Sequence, residues 1–225
     1  MEDVIKELQK KKDLRGLSQE IIIETIREYA EREPKKYEAL KQKNFNSKAK
    51  EYEEFKKYVR KKLRNLHGVF QKNRQSTKKQ EEYIQKKDFE FHSKETQKFL
   101  KSHRSTKERL NNYQTLYGAF QRETGTIKKI VDLGCGLNPI SYYLLKNLEE
   151  AYCVDINKEE IEFIQKYLDA NKIKGTAKVL DLTKQENFEE INKKTKNTDV
   201  CFLFKTLDGL EAKRKGTSKE LLKKI

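Results

Sequence analysis

The feature that most restricts this chain is an alternation that begins at residue 127. Ile127–Leu133, Ala151–Val154, Ala177–Leu180 and Val200–Phe204 are short apolar runs separated by stretches of helical spacing. Strands that alternate with helices run parallel, because a tight hairpin leaves no room for the intervening helix. The expected fold here is an open parallel α/β sheet. One helix is expected through Tyr142–Leu148, and a second carries Ile161, Ile164 and Leu168 on one face. Sheets of this kind bind ligands beyond the carboxyl ends of their strands.

The chemistry-bearing residues gather at those ends. The first strand runs into Asp132-Leu-Gly134-Cys-Gly136, where two glycines permit a tight turn and close approach of a ligand to the backbone. The second strand closes on Asp155, 19 residues past Gly136, placed to accept hydrogen bonds from both hydroxyls of a ribose. The third closes on Asp181-Leu182. Gly136 is followed by Leu-Asn-Pro rather than by the third glycine of a dinucleotide fingerprint, so no pyrophosphate cradle is implied. A glycine turn after the first strand with acids after the second and third describes a site for S-adenosylmethionine. Taken singly, each aspartate reads equally as a helix cap or loop residue. Cys135 reads as a small loop filler rather than a nucleophile.

Ahead of this sheet lies a basic, helical region. The chain carries a formal charge of +15, and residues 1–105 hold 29 Lys and Arg against 18 Asp and Glu. Ser18 is placed as an N-cap before Ile21, Ile22, Thr25, Ile26 and Tyr29, and Pro34 ends or restarts that helix. Tyr52, Phe55, Val59, Leu63, Leu66 and Phe70 follow at steps of three and four. Between them Lys56, Lys57, Arg60, Lys61, Lys62 and Arg64 form a cationic ridge with no acid in residues 55–70. Such a face predicts phosphate contacts and hence a nucleic-acid partner. Residues 71–105 read as a polar bridge with one or two further helices. The division expected is thus 1–105, basic helical domain and linker, and 106–225, cofactor domain.

Other classes are set aside. No apolar run approaches the roughly 18–20 residues of a spanning helix, and the first residues lack the apolar core of a secretory signal. Cys135, Cys153 and Cys201 are scattered without a C-x-x-C pair, which predicts neither a disulfide framework nor a metal site. A reduced, cytoplasmic protein with no membrane partner is expected.

Ser105-Thr-Lys-Glu-Arg109, Asp132-Leu-Gly-Cys-Gly-Leu-Asn-Pro139, Asp155-Ile-Asn and Phe202-Leu-Phe-Lys205 together resemble the Arm/Rmt-type aminoglycoside-resistance methyltransferases. The likeness extends more weakly through Val4–Lys6 and Arg60-Lys-Lys-Leu63…His67-Gly68. It implies a Rossmann-like class I methyltransferase sheet preceded by a basic all-helical domain. It also implies transfer of a methyl group from S-adenosylmethionine to guanine N7 near the decoding site of 16S rRNA, within the 30S subunit. Carried over by position, Arg109 pairs with the cofactor's methionine carboxylate, and Ser105 and Thr106 shape the cofactor end of the joint between the domains. Asp132, Gly134 and Gly136 form the cofactor turn, Asp155 holds the ribose, and Asp181 with Leu182 frames the adenine. Lys205 lies beside the target pocket as the catalytic position. Lys56, Lys57, Arg60, Lys61 and Arg64 face the RNA.

The family pattern continues past the fourth strand with more sheet. Here residues 210–225 suffice for one helix, so an incomplete C-terminal side is expected, completed by more of the same protein or by another chain; otherwise the protein is expected to be a monomer. Two rival functions stay open at this point, a methyltransferase for another RNA or a protein, and a ribosome-binding fragment without turnover.

Overall fold

In a computed structural model of the chain the described residues are 2–11, 14, 17–64 and 75–225. Leu66, His67, Gly68 and Phe70, assigned above to the basic helix and its continuation, lie outside them. The chain forms two compact units, residues 1–69 and 70–225. The expected boundary after residue 105 is thus displaced, for a packing reason. Tyr83, Phe89, Phe91 and Phe99 are buried in the same cluster as Ile127, Ile164 and Tyr167. What reads as a polar bridge carries large aromatics that are covered only against the sheet domain.

The first unit contains α1 (Glu2–Gln9), α2 (Gln19–Arg32), α3 (Pro34–Gln42) and α4 (Lys50–Leu63). Ser18 stands at the N-cap of α2 with extended backbone, although its hydroxyl makes no cap bond. Pro34 opens α3 at a position where a missing N–H costs nothing. Ile22, Ile26, Phe55, Val59 and Leu63 supply the buried stripe of α2 and α4, as the spacing predicts.

The second unit begins with α5 (Thr77–Lys86), α6 (Lys94–Ser102), α7 (Arg104–Arg109) and α8 (Tyr113–Thr124). It continues with β1 (Lys129–Leu133), β2 (Glu150–Asp155), α9 (Lys158–Ala170), β3 (Lys174–Val179), α10 (Phe188–Thr195) and β4 (Val200–Phe202). Two short helices, α11 (Leu207–Lys213) and α12 (Thr217–Leu222), follow. All strand pairings are parallel, in the order β3-β2-β1-β4.

Side chains alternate across the sheet and sort into two cores. Ile130, Ala151, Cys153 and Phe202 face α8, α9 and the aromatics of α5 and α6. Val131, Leu133, Tyr152 and Val154 face Phe188, Ile191, Leu210 and Leu221 on the other side. The sheet is therefore covered on both faces, as parallel sheets require.

Three expectations shift in detail. Between β1 and β2 the expected α-helix over Tyr142–Leu148 is instead a 3-10 segment, Asn138–Leu144. The Ile140 carbonyl is taken by the Tyr167 hydroxyl at 3.2 Å and Ser141 by that of Tyr117 at 2.6 Å, so cross-chain bonds compete with a helical ladder here. The strand expected over Val200–Phe204 stops at Phe202, because the next residues turn toward the ends of β1 and β4. After it, one expected helix is two, divided at Gly216 in the left-handed region (φ +85°).

Phe99 tests the reassigned boundary. It is buried, with ring centroids 4.6 Å from Tyr83 and 5.2 Å from Phe163. Phe99→Ala is expected to cost the second unit about 3–5 kcal/mol, read as a lowered urea midpoint for Tyr fluorescence of the full chain. A loss below about 1 kcal/mol would show that Phe99 does not help to hold α6 to this core.

Candidate functional site

The strand order defines where a ligand can sit. Strands β1, β2 and β3 proceed in one direction across the sheet, and β4 lies on the opposite side of β1. The chain connections therefore diverge between β1 and β4, opening a crevice above their carboxyl ends. The segments that follow β1 and β4 meet there. The Thr206 hydroxyl donates to the Leu133 carbonyl at 2.8 Å, and the Arg109 guanidinium lies 4.4 Å from the centre of the Phe204 ring.

The glycine turn is pinned from β2. Gly134 and Cys135 both donate their N–H to the Val154 carbonyl, at 2.8 and 2.9 Å. Gly136 donates to Asp155 Oδ2 at 3.0 Å, while Asp155 Oδ1 accepts the Asn157 N–H at 3.0 Å. Burial raises the Asp155 carboxyl, and these backbone N–H groups pull it back toward the charged form. Both glycines are in the left-handed region. A Cβ on Gly134 would fall 2.6 Å from Thr206 Oγ1, and one on Gly136 would fall 3.0 Å from the His103 ring. A side chain at Gly134 would require Thr206 to move, one at Gly136 would press on the His103 ring, and both would be strained at these positive φ values.

Asp132 and Arg109 sit in one hydrogen-bonded group. Asp132 is fully buried, and its Oδ2 accepts from Asn138 Nδ2 at 2.8 Å and from the Tyr142 hydroxyl at 2.7 Å. Burial raises its carboxyl to about 6, against the pull of Tyr142, Asn138 and the Arg109 charge. Arg109 donates to Ser105 Oγ at 2.6 Å and to Asn138 Oδ1 at 3.3 Å. Neither partner is an anion. Arg109 Nε and Asp132 Oδ1 are both buried without a hydrogen-bond partner, and such atoms in a folded protein call for a ligand or a water.

The remaining expected residues divide. Ser105 orients Arg109, but the Thr106 hydroxyl, 2.5 Å from the Leu100 carbonyl and 3.0 Å from that of His103, closes the corner between α6 and α7. Both residues belong to the second unit. The Asp181 carboxylate is committed to Lys213 at 2.8 Å and to the Thr183 N–H and hydroxyl, which hold it in the charged form despite its burial. Leu182 is packed in the core behind the sheet with Val154 and Phe188. Lys205 is left-handed (φ +58°), an uncommon state for a side chain of this kind. Its ammonium is paired with Glu108, which also accepts from Arg104 at 2.9 Å.

The cationic ridge of α4 is thinner than the sequence implies. Lys56 is buried, bonded to Glu7 at 2.8 Å and Glu53 at 2.5 Å, and Lys62 pairs with Glu28 at 3.2 Å. Arg60 is half-buried and reaches the Glu7 carbonyl at 3.5 Å. Lys57, Lys61 and Arg64 remain exposed along one line of the helix. Lys56 is therefore withdrawn from the RNA-facing set, because it neutralises acids inside the unit.

Sequence reasoning missed Asn138 and His103. Asn138 lay in the quoted Leu-Asn-Pro string; the signal was a polar residue in an otherwise apolar crossover. His103 packs its ring against the Gly136 turn, and burial with the nearby Arg109 charge lowers it to about 4. Among the described residues no group of His, Cys, Asp and Glu is placed to hold a metal ion, and no helix is long and apolar enough to cross a membrane.

Comparisons with known proteins bear on this site. A family model described as "Ribosomal RNA methyltransferase (FmrO)" matches residues 25–225. A 16S rRNA (guanine(1405)-N(7))-methyltransferase of Frankia casuarinae is 30% identical over 125 residues, covering 55% of this chain and 42% of its own. One of Micromonospora echinospora with the same description is 30% identical over 122 residues, covering 53% and 42%. The matched stretch thus spans less than half the length of these curated relatives. Among solved structures, the 16S rRNA methyltransferase RmtF in complex with S-adenosyl-L-homocysteine superposes with a TM-score of 0.73 at 22% identity, covering 100% of this chain and 76% of that one. The 16S rRNA methylase RmtB gives 0.68 at 20%, covering 99% and 79%. These two likenesses speak for the fold.

Asp132 predicts a pH dependence of stability. Folding raises its pKa from 3.8 to about 6, so the folded state favours the neutral carboxyl. That contribution is fully present below pH 3.8 and is lost as pH rises through about 6. Asp132→Asn keeps an uncharged acceptor there. Relative to the natural chain, the variant is expected to gain about 2 kcal/mol between pH 4 and pH 7 in urea denaturation. A difference that does not change with pH would show that Asp132 titrates normally.

Proposed function

We propose, because this chain belongs to the ribosomal RNA methyltransferase (FmrO) family, that it transfers a methyl group from S-adenosylmethionine to N7 of a guanine in the 16S rRNA of the small ribosomal subunit. The observation that carries the reading is Arg109, a guanidinium at the sheet's ligand crevice with no anionic partner and a buried, unsatisfied Nε. A carboxylate matches its fork. The glycine turn, where a Cβ would be crowded and strained, fits the same cofactor. Bound S-adenosylmethionine supplies a methyl group already activated by its sulfonium.

In this reading Arg109 takes the methionine carboxylate and Asp155 accepts from the ribose hydroxyls with the lone pairs its backbone bonds leave open. Asp181, tied to Lys213, is assigned a framing role through its loop backbone rather than its carboxylate. Guanine N7 carries a lone pair and no proton, so no general base is needed. The chain's work is positioning and tolerance of charge that moves onto the purine. Lys205 is assigned the place beside the target base, with Glu108 holding it there in the absence of RNA. Lys57, Lys61 and Arg64 supply phosphate contacts, which give affinity without reading the base. The modification is of the type that the family resemblance links to aminoglycoside resistance, and its substrate places the protein in the cytoplasm.

Two measurements test the proposal. Calorimetry should detect S-adenosylhomocysteine binding that Asp155→Ala weakens by about 100-fold; no heat with the natural chain would reject the cofactor. Incubation with 30S subunits and methyl-labelled cofactor should label 16S rRNA, and label on protein or tRNA instead would reject the substrate. Lys57→Glu with Lys61→Glu is expected to lower 30S affinity about tenfold or more at low salt, with a shallower salt dependence and unchanged cofactor affinity.

A further inference from the structure

Asn138 is the most fully engaged polar side chain in the site. It is 1% exposed. Its Nδ2 donates to Asp132 Oδ2 at 2.8 Å, and its Oδ1 accepts from the Tyr113 hydroxyl at 2.9 Å and from Arg109 Nη2 at 3.3 Å. Its backbone carbonyl accepts from the Ser141 hydroxyl at 2.7 Å, and its N–H donates to the Cys135 carbonyl at 2.9 Å. Only one orientation of the amide satisfies these neighbours. The reversed amide would turn its NH2 toward a guanidinium and its oxygen toward a carboxylate.

The amide stands between two groups of opposite charge that do not pair directly. A direct Asp132–Arg109 bridge would have used up the guanidinium. With the amide interposed, each charge is partly compensated and each keeps one buried atom without a partner, Arg109 Nε and Asp132 Oδ1. One is an N–H donor and the other an anionic acceptor. An α-amino acid carries the complementary pair, a carboxylate and an ammonium on one carbon.

We propose that Asn138 is a positioning residue for the amino-acid end of the cofactor, its amide holding the Arg109 guanidinium and the Asp132 carboxylate apart and aligned. This rests on the S-adenosylmethionine reading given above. Asn138 touches no reacting atom. Its effect falls on recognition of the charged end and leaves the adenosyl end alone. Packing of Arg109 on the Phe204 and Tyr113 rings, at 4.4 and 5.6 Å, limits where the guanidinium can move but does not fix its rotation. The amide supplies that missing constraint.

The test compares two probes, S-adenosylhomocysteine and 5′-methylthioadenosine, which lacks the amino-acid end. Both are titrated calorimetrically into the natural full chain and into Asn138→Asp at pH 8. This variant keeps the acceptor toward Arg109 and Tyr113 but presents an oxygen to Asp132. S-adenosylhomocysteine affinity is expected to fall about 30-fold or more, with methylthioadenosine changed by less than about threefold. Equal loss of both probes would make Asn138 merely structural and overturn the proposal, as would unchanged S-adenosylhomocysteine affinity. Should Asn138→Asp fail to fold, Tyr113→Phe removes one bond to the same carbonyl and is expected to give the same selectivity at smaller size; no selectivity there overturns it too. A natural chain that binds both probes equally would sink this inference and leave the adenosyl site standing. A natural chain that binds neither would sink the function reading itself.

Discussion

A carboxylate with no exposed surface governs the architecture around it. Asp132 lies on the β1 face that points into the aromatic core, beside Ile130, and unpaired it would be intolerable there. Asn138 and Tyr142 reach it from the crossover that follows, and this draws the crossover tight against the sheet. Asn138 then has its other arm free for Arg109 and Tyr113, so the position of α7 and α8 over the crevice follows from the need to solvate one buried charge. The ligand crevice and the polar core are thus one hydrogen-bonded system.

Periodicity carried much of the fold, and the reason is that periodicity reports burial. The four strands were legible because β1 and β2 are covered on both faces, and the stripe Phe55, Val59, Leu63 because α4 is covered on one. β3 was placed three residues late at its start, since Lys174, Gly175 and Thr176 are exposed and show no apolar signal. The unit boundary was misplaced for the converse reason. Tyr83, Phe89 and Phe99 are spaced too irregularly to mark a face, and only the folded sheet domain shows what covers them.

In the site, local features were readable and partnerships were not. The glycine turn and Asp155 follow from spacing because their contact is short in topology, the end of one strand to the end of its neighbour. Lys56 was misread in part because one of its two acids, Glu7, is 49 residues away in the chain. Asp181 met Lys213 across 32 residues in the same way. A single sequence shows a charge but not its counter-charge, so the count of free cations on a helix is an upper bound.

The two rims of the sheet are unlike. β3 ends it with Lys174 exposed and Lys178 paired with Glu190 at 2.7 Å, along a largely exposed, glycine-notched strand. β4 ends it with Val200 and Cys201 half-buried and Phe202 buried, none of them charged. Charge and a glycine guard the first rim against a further strand, and the second lacks that guard on the flank where Arg109 and Phe204 already meet.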